Sequence, residues 1–445
     1  MVFQRANLKK SRMDWALLAA IVAVLIIGTI AISSSVFFMP HQSKIIKTQI
    51  MAIPIGFTVL FAIWSLNYQV FQDQWKLVYT IMLLALIGVL FFGVVERGAR
   101  SWYRLPLFSV QPSEFARIGV ILALANYLDK RFGRIKELST VLGAIVLVFP
   151  VFFLLIKQPD FSAVLVTLPI ILIMLFCAGA DVFHLSVILG YSLITALFPI
   201  AWTIVDLNPE LRNSAAMNMF FRFSEFGINT AIFVAAVSGT AYFLWVLSRK
   251  LYAKISGVYF AGAALVIILG FLSGIMVKSQ MKEYQQKRLE VFLSPDADPK
   301  GAGYNLIQAK VAMGSGGFFG KGIFSGTQSR LGFVPERHTD FILAVIGEEM
   351  GFWGTMIVMV LYIFIMRRLI FIAHIARDRF GYLTICGIFG MFMIYFLVNF
   401  GMLLGLSPVA GVPLPLLSYG GSNLVATLTA VGVAQSVYAR RYALA

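Results

Sequence analysis

Asp298 carries the clearest signal of a reactive carboxylate in this chain. Pro299 follows it, biases it toward an extended backbone and stops a helix from running through it, so the carboxyl can be aimed at a substrate proton. Asp296 is a nearby competitor, and a solvated turn accounts for either residue without any chemistry. Both lie in the only long polar segment of the chain, Lys278 to Gly351. Structureless loops of that length are usually functional or disordered. Tyr304, Leu306, Ile307, Phe318, Phe319, Phe324, Leu331 and Phe333 are spaced through it and can pack, which favours an ordered, functional loop. Further along come Gly314-Ser315-Gly316-Gly317-Phe318-Phe319-Gly320-Lys321-Gly322, then Pro335-Glu336-Arg337-His338-Thr339-Asp340, then Glu348-Glu349. The glycine cluster is not a nucleotide phosphate loop, because Ser315 stands where the first glycine belongs and Gly322 where Ser or Thr belongs. Glycines could still let backbone N–H groups approach an anion, with Lys321 adding charge, or they could form a flexible turn. His338 has no partner at metal-ligand spacing and reads as a hydrogen-bonding residue. Of Glu348 and Glu349, one is expected to face a polar interior and the other to be a solvated or interfacial charge.

A second set of charges lies at or inside apolar runs: Glu114 and Arg117 in Gln111-Pro112-Ser113-Glu114-Phe115-Ala116-Arg117, and Lys157 and Asp160 in Lys157-Gln158-Pro159-Asp160. Such charges are costly in a membrane and are retained mostly along substrate or ion pathways. Snorkelling of Arg117 and Lys157, with helix capping by Ser113 and Asp160, is the plainer account. Opposite charges gathered at one membrane face favour a shared polar cavity. The stretch Gly405 to Asn423 breaks helix repeatedly. At membrane depth that is tolerated only where backbone lines a cavity or is buried in protein, and the Gly420-Gly421-Ser422 cluster favours a cavity lining over an outer loop.

The elements that position these residues are membrane helices. The chain has 445 residues, 60% hydrophobic and 13% charged. Lipid-facing strands would alternate polar and apolar residues, and these runs do not. The expected fold is therefore an all-α integral membrane bundle. About twelve spans fall near 15–35, 46–66, 76–95, 113–128, 138–156, 160–179, 182–205, 229–247, 256–277, 341–366, 382–404 and 413–438. The first run lacks a convincing cleavage site, so no removable signal peptide is read there. Arg5 to Arg12, Lys130 to Lys136, Arg249 to Lys254, Arg367 to Arg379 and Arg440-Arg441 all fall on one side of such a bundle. That side reads as cytoplasmic, with both termini there and the 278–340 loop outside. A net charge of +16 spread over loops suits an anionic lipid surface or lipid substrate better than nucleic acid. Cys177 and Cys386 both lie in apolar runs and form no disulfide or zinc pattern.

These segments together resemble the SEDS proteins (shape, elongation, division and sporulation), which are integral-membrane peptidoglycan glycosyltransferases. The resemblance rests on Gln111-Pro112-Ser113-Glu114, Lys157-Gln158-Pro159-Asp160, Asp298-Pro299 with Gly301-Ala302-Gly303-Tyr304, Gly314-Ser315-Gly316-Gly317, Pro335 to Phe341, and Pro413-Leu414-Pro415 with Ser418-Tyr419-Gly420-Gly421. They are collinear and cover most of the chain. Gly326-Thr327-Gln328 and Arg337 look like the elongation branch, since division members typically carry Ala in place of Arg337. The chain departs from the family pattern at Arg117 (usually Lys), at Ala309 after Gln308 (usually Ser) and at Ser162 (usually Gly). Arg keeps the charge but not the point-like geometry of Lys, which leaves the role of Arg117 open. The family has about ten spans; residues 206–277 then read as an inserted helical pair, peripheral to the reaction, in one polytopic domain of 1–445.

The resemblance implies polymerisation of lipid II, a disaccharide-peptide on undecaprenyl pyrophosphate, in the bacterial inner (cytoplasmic) membrane during cell elongation. Asp298 would be the general base. Arg100, Arg117, Lys157, Lys321 and Arg337 are the cationic candidates for the departing pyrophosphate. Glu114, Asp160, Gln308, Ser315, Glu336, His338, Thr339, Asp340 and Ser418 complete the implied substrate-binding set. A divalent cation (Mg or Mn) could help; the sequence neither shows nor excludes one. The implied partners are a class B penicillin-binding protein, which is a one-span transpeptidase, and the elongation machinery. A lipid II flippase is the rival reading, since intramembrane charges and broken helices suit transport too.

Overall fold

The computed structural model describes residues 13–39, 42–96, 99–104, 109–212, 214–225, 227–253, 255–295, 302–330 and 336–442. The chain divides into two compact units, one made of residues 1–180 and 305–445 and the other of residues 181–304.

The first unit opens with α1 (Trp15–Val36), α2 (Gln42–Ser65), the short α3 (Gln69–Asp73) and α4 (Trp75–Phe92). A small antiparallel sheet follows: β1 (Val94–Glu96), β2 (Ala99–Arg104) and β3 (Ser109–Val110). The architecture is the expected all-α bundle, and this small sheet is an addition to it that the sequence reading did not anticipate. Strands of two to six residues are too short to display a period of two against the apolar run before them. The sheet is strapped to α4: the Tyr103 hydroxyl donates to the Ala85 carbonyl, in the space left by Gly88, and Arg100 donates to the Leu90 carbonyl. Then come α5 (Pro112–Lys130), α6 (Leu138–Lys157) and α7 (Phe161–Ala178).

The second unit holds α8 (Val182–Leu207), α9 (Pro209–Arg212), α10 (Ala215–Ser224), α11 (Ile228–Lys250), α12 (Gly257–Gln280) and α13 (Glu283–Leu293). Helices α8 and α12 run parallel. Gly262 faces Phe183, Gly270 faces Ile194 and Gly274 faces Phe198, so the Gly270-x-x-x-Gly274 spacing lets the two backbones approach closely. Phe198, Phe220, Phe233 and Phe271 pack into one aromatic core at the far end of that pair.

α14 (Ala302–Ser315) leads back to the first unit, followed by α15 (Thr327–Arg330), α16 (Ile342–His374), α17 (Arg379–Leu404) and α18 (Gly421–Ala439). The described residues of the 278–340 loop are thus mostly helical. Its apolar residues pack unevenly: Leu306 is buried, but Phe318 and Phe319 are exposed, contrary to the expectation that they pack. Leu331 and Phe333 lie outside the described residues.

Among the described residues, ten helices are long and apolar enough to cross a membrane. The two remaining expected spans, α5 and α18, are helices of 19 residues each that fall outside that set. They are the most protein-enclosed helices, buried on nearly every face, so they carry polar residues that a lipid-facing helix would not. α18 lies along α2, with Gly56 admitting Leu428 and Gly432 admitting the Leu60 backbone. At that end of the first unit, Asp14 pairs with Arg368 at 2.6 Å and Arg440 caps α2 by donating to the Trp64 and Ser65 carbonyls.

Candidate active site

At the opposite end of the first unit, the start of α5 gathers a buried polar network. Arg117 and Glu114 sit one helical turn apart and pair bidentately, Nη1 to Oε2 at 2.7 Å and Nη2 to Oε1 at 3.1 Å. Tyr395 of α17 and Asn423 of α18 each donate to Glu114 Oε2 at 3.0 Å. The Arg117 guanidinium also lies 5.0 Å from the Tyr395 ring centre. Asp160 caps α7 through Oδ1, which accepts from the Ala163 amide at 3.1 Å and from the Ser162 hydroxyl at 2.9 Å. Its Oδ2 accepts from Gln111 Nε2 at 2.8 Å and Ser113 Oγ at 2.9 Å. The capping reading of Asp160 holds, and its second oxygen joins a hydrogen-bonded cluster that does not include Lys157. Ser113 does not cap its helix; its hydroxyl goes to Asp160. The Gln111 amide donates to Ser422 Oγ at 3.0 Å, which joins the two carboxylate clusters through α18.

Arg117 is directed at Glu114 and is buried, so it is the scaffold of this cluster and not an open cation. Lys157, by contrast, is exposed at the end of α6, with its ammonium 5.6 Å from the Phe153 ring centre. Arg100 is exposed on β2. Gln158 is fully buried and donates to the Leu86 carbonyl at 2.8 Å.

The glycine-rich segment does something other than cradle an anion. α16 is broken at Gly351, where φ is 68° and ψ −160°. Backbone groups released by that break are met by residues 317–322. The Lys321 and Gly322 amides donate to the Glu348 and Glu349 carbonyls at 3.0 Å each, and Phe352 and Trp353 donate to the Gly317 and Phe318 carbonyls. A Cβ on Gly316 or Gly320 would lie 1.9 or 2.1 Å from an α16 carbonyl oxygen, so only glycine permits the approach. The anion-cradle reading is overturned, because the Lys321 and Gly322 N–H groups already serve α16.

Lys321 Nζ reaches Ser315 Oγ at 2.7 Å, Thr327 Oγ1 at 2.8 Å and Glu348 Oε1 at 3.0 Å. Glu348 is 0% exposed and also accepts from the Gln328 amide at 2.7 Å. Glu349 is buried too and accepts from Ser34 of α1. Neither is the solvated charge expected of one of them. Both are internal struts. Arg337 is 4% exposed, and its Nε donates to the Ser35 carbonyl at 2.6 Å, in the last turn of α1. Burial lowers its pKa, yet the helix end supplies negative potential to offset that. Arg337 therefore anchors α1 and is not an open cation for a pyrophosphate.

Glu336 has φ 54°, a strained left-handed conformation for a glutamate, and its carbonyl accepts from the Thr339 and Asp340 amides. Its carboxylate accepts from the Thr339 hydroxyl at 3.1 Å. The His338 carbonyl accepts from the Tyr419 amide at 2.8 Å, and the two rings face each other at 5.5 Å. The Asp340 carbonyl accepts from Asn399 Nδ2 at 3.0 Å. Ser418 Oγ accepts from the Leu414 amide, closing the turn before α18. Ala410, Val412 and residues 414–418 are buried in protein, with Tyr362 donating to the Pro415 carbonyl, so this part of the broken stretch is an internal strap, whereas Leu406 before it is exposed. Gln308 is half-buried on α14. Asp296 and Asp298 lie outside the described residues.

Sequence reasoning missed Ser34, Tyr395 and Asn399, and it singled out Ser422 and Asn423 only as part of a helix-breaking stretch, without their partners Gln111 and Glu114. Each is a polar side chain in or beside an apolar run, and only that cost of burial could have marked them. Among the described residues no three His, Cys, Asp or Glu side chains converge to hold a metal ion. The oxygens of Glu114 and Asp160 already have protein donors, so this cluster does not fit a divalent cation.

The family described as FtsW/RodA/SpoVE cell cycle protein matches residues 11–212 and 201–443. The peptidoglycan glycosyltransferase RodA of Treponema pallidum is 34% identical over 97% of this chain and 98% of its own length. The peptidoglycan glycosyltransferase MrdB of Escherichia coli K12 is 31% identical over 97% and 95%. A chain from a structure titled for coordination of polymerization and crosslinking by a peptidoglycan synthase complex aligns with a TM-score of 0.66, 25% identity and coverage of 97% and 99%. The crystal structure of Thermus thermophilus RodA, a rod shape determining protein, aligns at 0.60, with 25% identity over 97% and 98%. Matched along nearly its whole length, this multi-pass membrane chain belongs to the FtsW/RodA/SpoVE family, the SEDS proteins that its motifs resemble.

Proposed function

We propose that this chain is a peptidoglycan glycosyltransferase that polymerises lipid II into glycan strands during cell elongation. The observation that carries the reading is the buried Glu114–Arg117–Asp160 network, fully supplied with donors at one end of apolar helices, in a chain of this family. Rigid polar groups at the mouth of a greasy bundle suit a substrate with a sugar-pyrophosphate head and a prenyl tail. The acceptor's sugar 4-hydroxyl attacks the anomeric carbon of the donor. A C–O bond forms there as the bond to lipid pyrophosphate breaks, the pyrophosphate leaves with the electron pair, and Asp298 takes the hydroxyl proton. Lys157 and Arg100, the exposed cations of the expected set, are assigned to the leaving pyrophosphate.

The reading places the chain in the bacterial inner membrane with both termini cytoplasmic and residues 278–340 outside. It pairs the chain with a class B penicillin-binding protein and the elongation machinery. Residues 206–277 are assigned to a peripheral helical pair. Asp298→Asn keeps size and polarity but cannot accept the proton, and loss of a general base typically costs about 10²- to 10⁴-fold. The test is glycan synthesis from lipid II in detergent, resolved on a gel. Wild type with its partner should make glycan, and Asp298→Asn should make little or none while still binding lipid II. Asp296→Asn should be much milder. Wild-type rates from Asp298→Asn would remove the base assignment. No glycan from wild type, with movement of lipid II between leaflets, would favour transport.

A further inference from the structure

In the second unit, α11 and α12 enclose a groove of about 530 Å³. Small residues line much of its floor, Ser238 and Ala241 on α11 and Gly257, Ala261 and Ala264 on α12, with the apolar Phe260, Leu265 and Ile268 of α12 and the rings of Tyr242 and Trp245 completing the lining. From Gly257 to Ile268 it runs about 16 Å at a helical rise of about 1.5 Å per residue. That is the depth of one leaflet of a hydrocarbon core about 30 Å thick, too short for a spanning helix to seat along its length. The groove ends beside the α11–α12 connection. There the Trp245 ring covers Gly257, its Nε1 lying 3.0 Å from where a Cβ would stand, and Arg249 stacks on the same ring at 5.1 Å. Arg249 and Lys250 are both exposed. No Asp or Glu occurs between Glu225 and Glu283. Asp181, at the start of the neighbouring α8, has a carboxylate oxygen that accepts from the Phe183 amide.

We propose that this groove binds an anionic phospholipid, with one acyl chain along α11 and α12 and the phosphate on Arg249 and Lys250. Length selects an acyl chain over a helix, the apolar small-residue floor selects a chain over a sugar, and the cations at its mouth select a negative headgroup. The interfacial Trp and Tyr sit where such rings favour the headgroup boundary. The site is made only of residues of the second unit and the Glu114 cluster only of residues of the first, so the proposal does not rest on the proposed reaction.

The experiment places purified protein in nanodiscs of equal phosphatidylglycerol and phosphatidylethanolamine and counts retained lipids by native mass spectrometry. A surface cation favours an anionic lipid by about five-fold. Wild type should retain phosphatidylglycerol over phosphatidylethanolamine by at least about that factor. Arg249→Gln with Lys250→Gln should abolish the preference while lipid is still retained. Ala261→Phe, which fills the floor, should reduce retention of both; Ser238→Phe serves the same purpose from the other helix if Ala261→Phe fails to fold. Equal retention of the two lipids by wild type overturns the proposal, as does a preference that survives the double substitution. A stoichiometric polypeptide held by wild type and released by the groove-filling variants also overturns it.

Discussion

Glu114 shows what a buried carboxylate costs when its partners are disturbed. Its charge is balanced by Arg117 and further held by Tyr395 and Asn423. Glu114→Gln leaves the Arg117 guanidinium buried without its counter-charge, a loss of about 3–5 kcal/mol. Arg117→Lys keeps the charge but not the fork, so it should lose only about 1–2 kcal/mol. Thermal inactivation in detergent checks both, and half-lives equal to wild type in both variants would show that the pair carries no structural load. These charges were legible in the sequence because ionised groups in apolar runs are conspicuous. Tyr395, Asn399 and Asn423 were not, because a lone uncharged polar residue within a long apolar run is common. Arg337 was legible as a charge but misread in role: only the fold shows the α1 carbonyl that it meets.

Among the elements, the broken α16 and the segment that mends it depend on each other. Gly320 has φ +78° and faces the Glu349 carbonyl, whereas Gly317 has φ +58° with nothing within 4 Å of its would-be Cβ. Gly317→Ala should therefore cost about 1 kcal/mol from backbone strain alone. Gly320→Ala adds a collision with backbone and should cost at least about 3 kcal/mol more. Yield of monodisperse protein and its inactivation temperature measure the difference; similar values for both would mean that the segment does not plug the break. The sequence announced that glycine mattered here, but not why, since a turn, an anion cradle and a close helix contact all call for it. The long apolar helices were readable from length and hydropathy. The strands of 94–110 and the helices inside the polar loop were not, because short amphipathic or polar elements carry little periodic signal.

At the scale of the whole molecule, parallel α8 and α12 require one crossing between them to run the other way, and α11 is the helix of that length in between. Alternation of this kind leads to the expected outcome of one-sided cysteine labelling. Cys at position 298 should react from outside, and Cys in the 130–136 and 367–379 connections should react from the cytoplasm. Labelling of position 298 from the cytoplasm alone would remove both the topology and the proposed mechanism. If residues 206–277 are peripheral, the exposed Arg222 and Glu225 contribute well under 1 kcal/mol, and alanine at both should leave polymerisation within about two-fold of wild type. A loss like that of Asp298→Asn would move this region into the reaction.

The ties of α1 also govern how the chain is made. Asp14 is held by Gln435, 421 positions later, and by Arg368; Ser34 and Ser35 are held by Glu349 and Arg337. At about 5–20 residues per second, the ribosome finishes the first helix roughly 20–80 s before its last partner exists. Until residues 337–368 are made α1 lacks every one of these partners, and until Gln435 is made its Asp14 end is only partly held. A message cut short before α18 therefore yields a chain whose α1 still meets Arg337, Glu349 and Arg368 but whose Asp14 backbone has no Gln435 to clasp it.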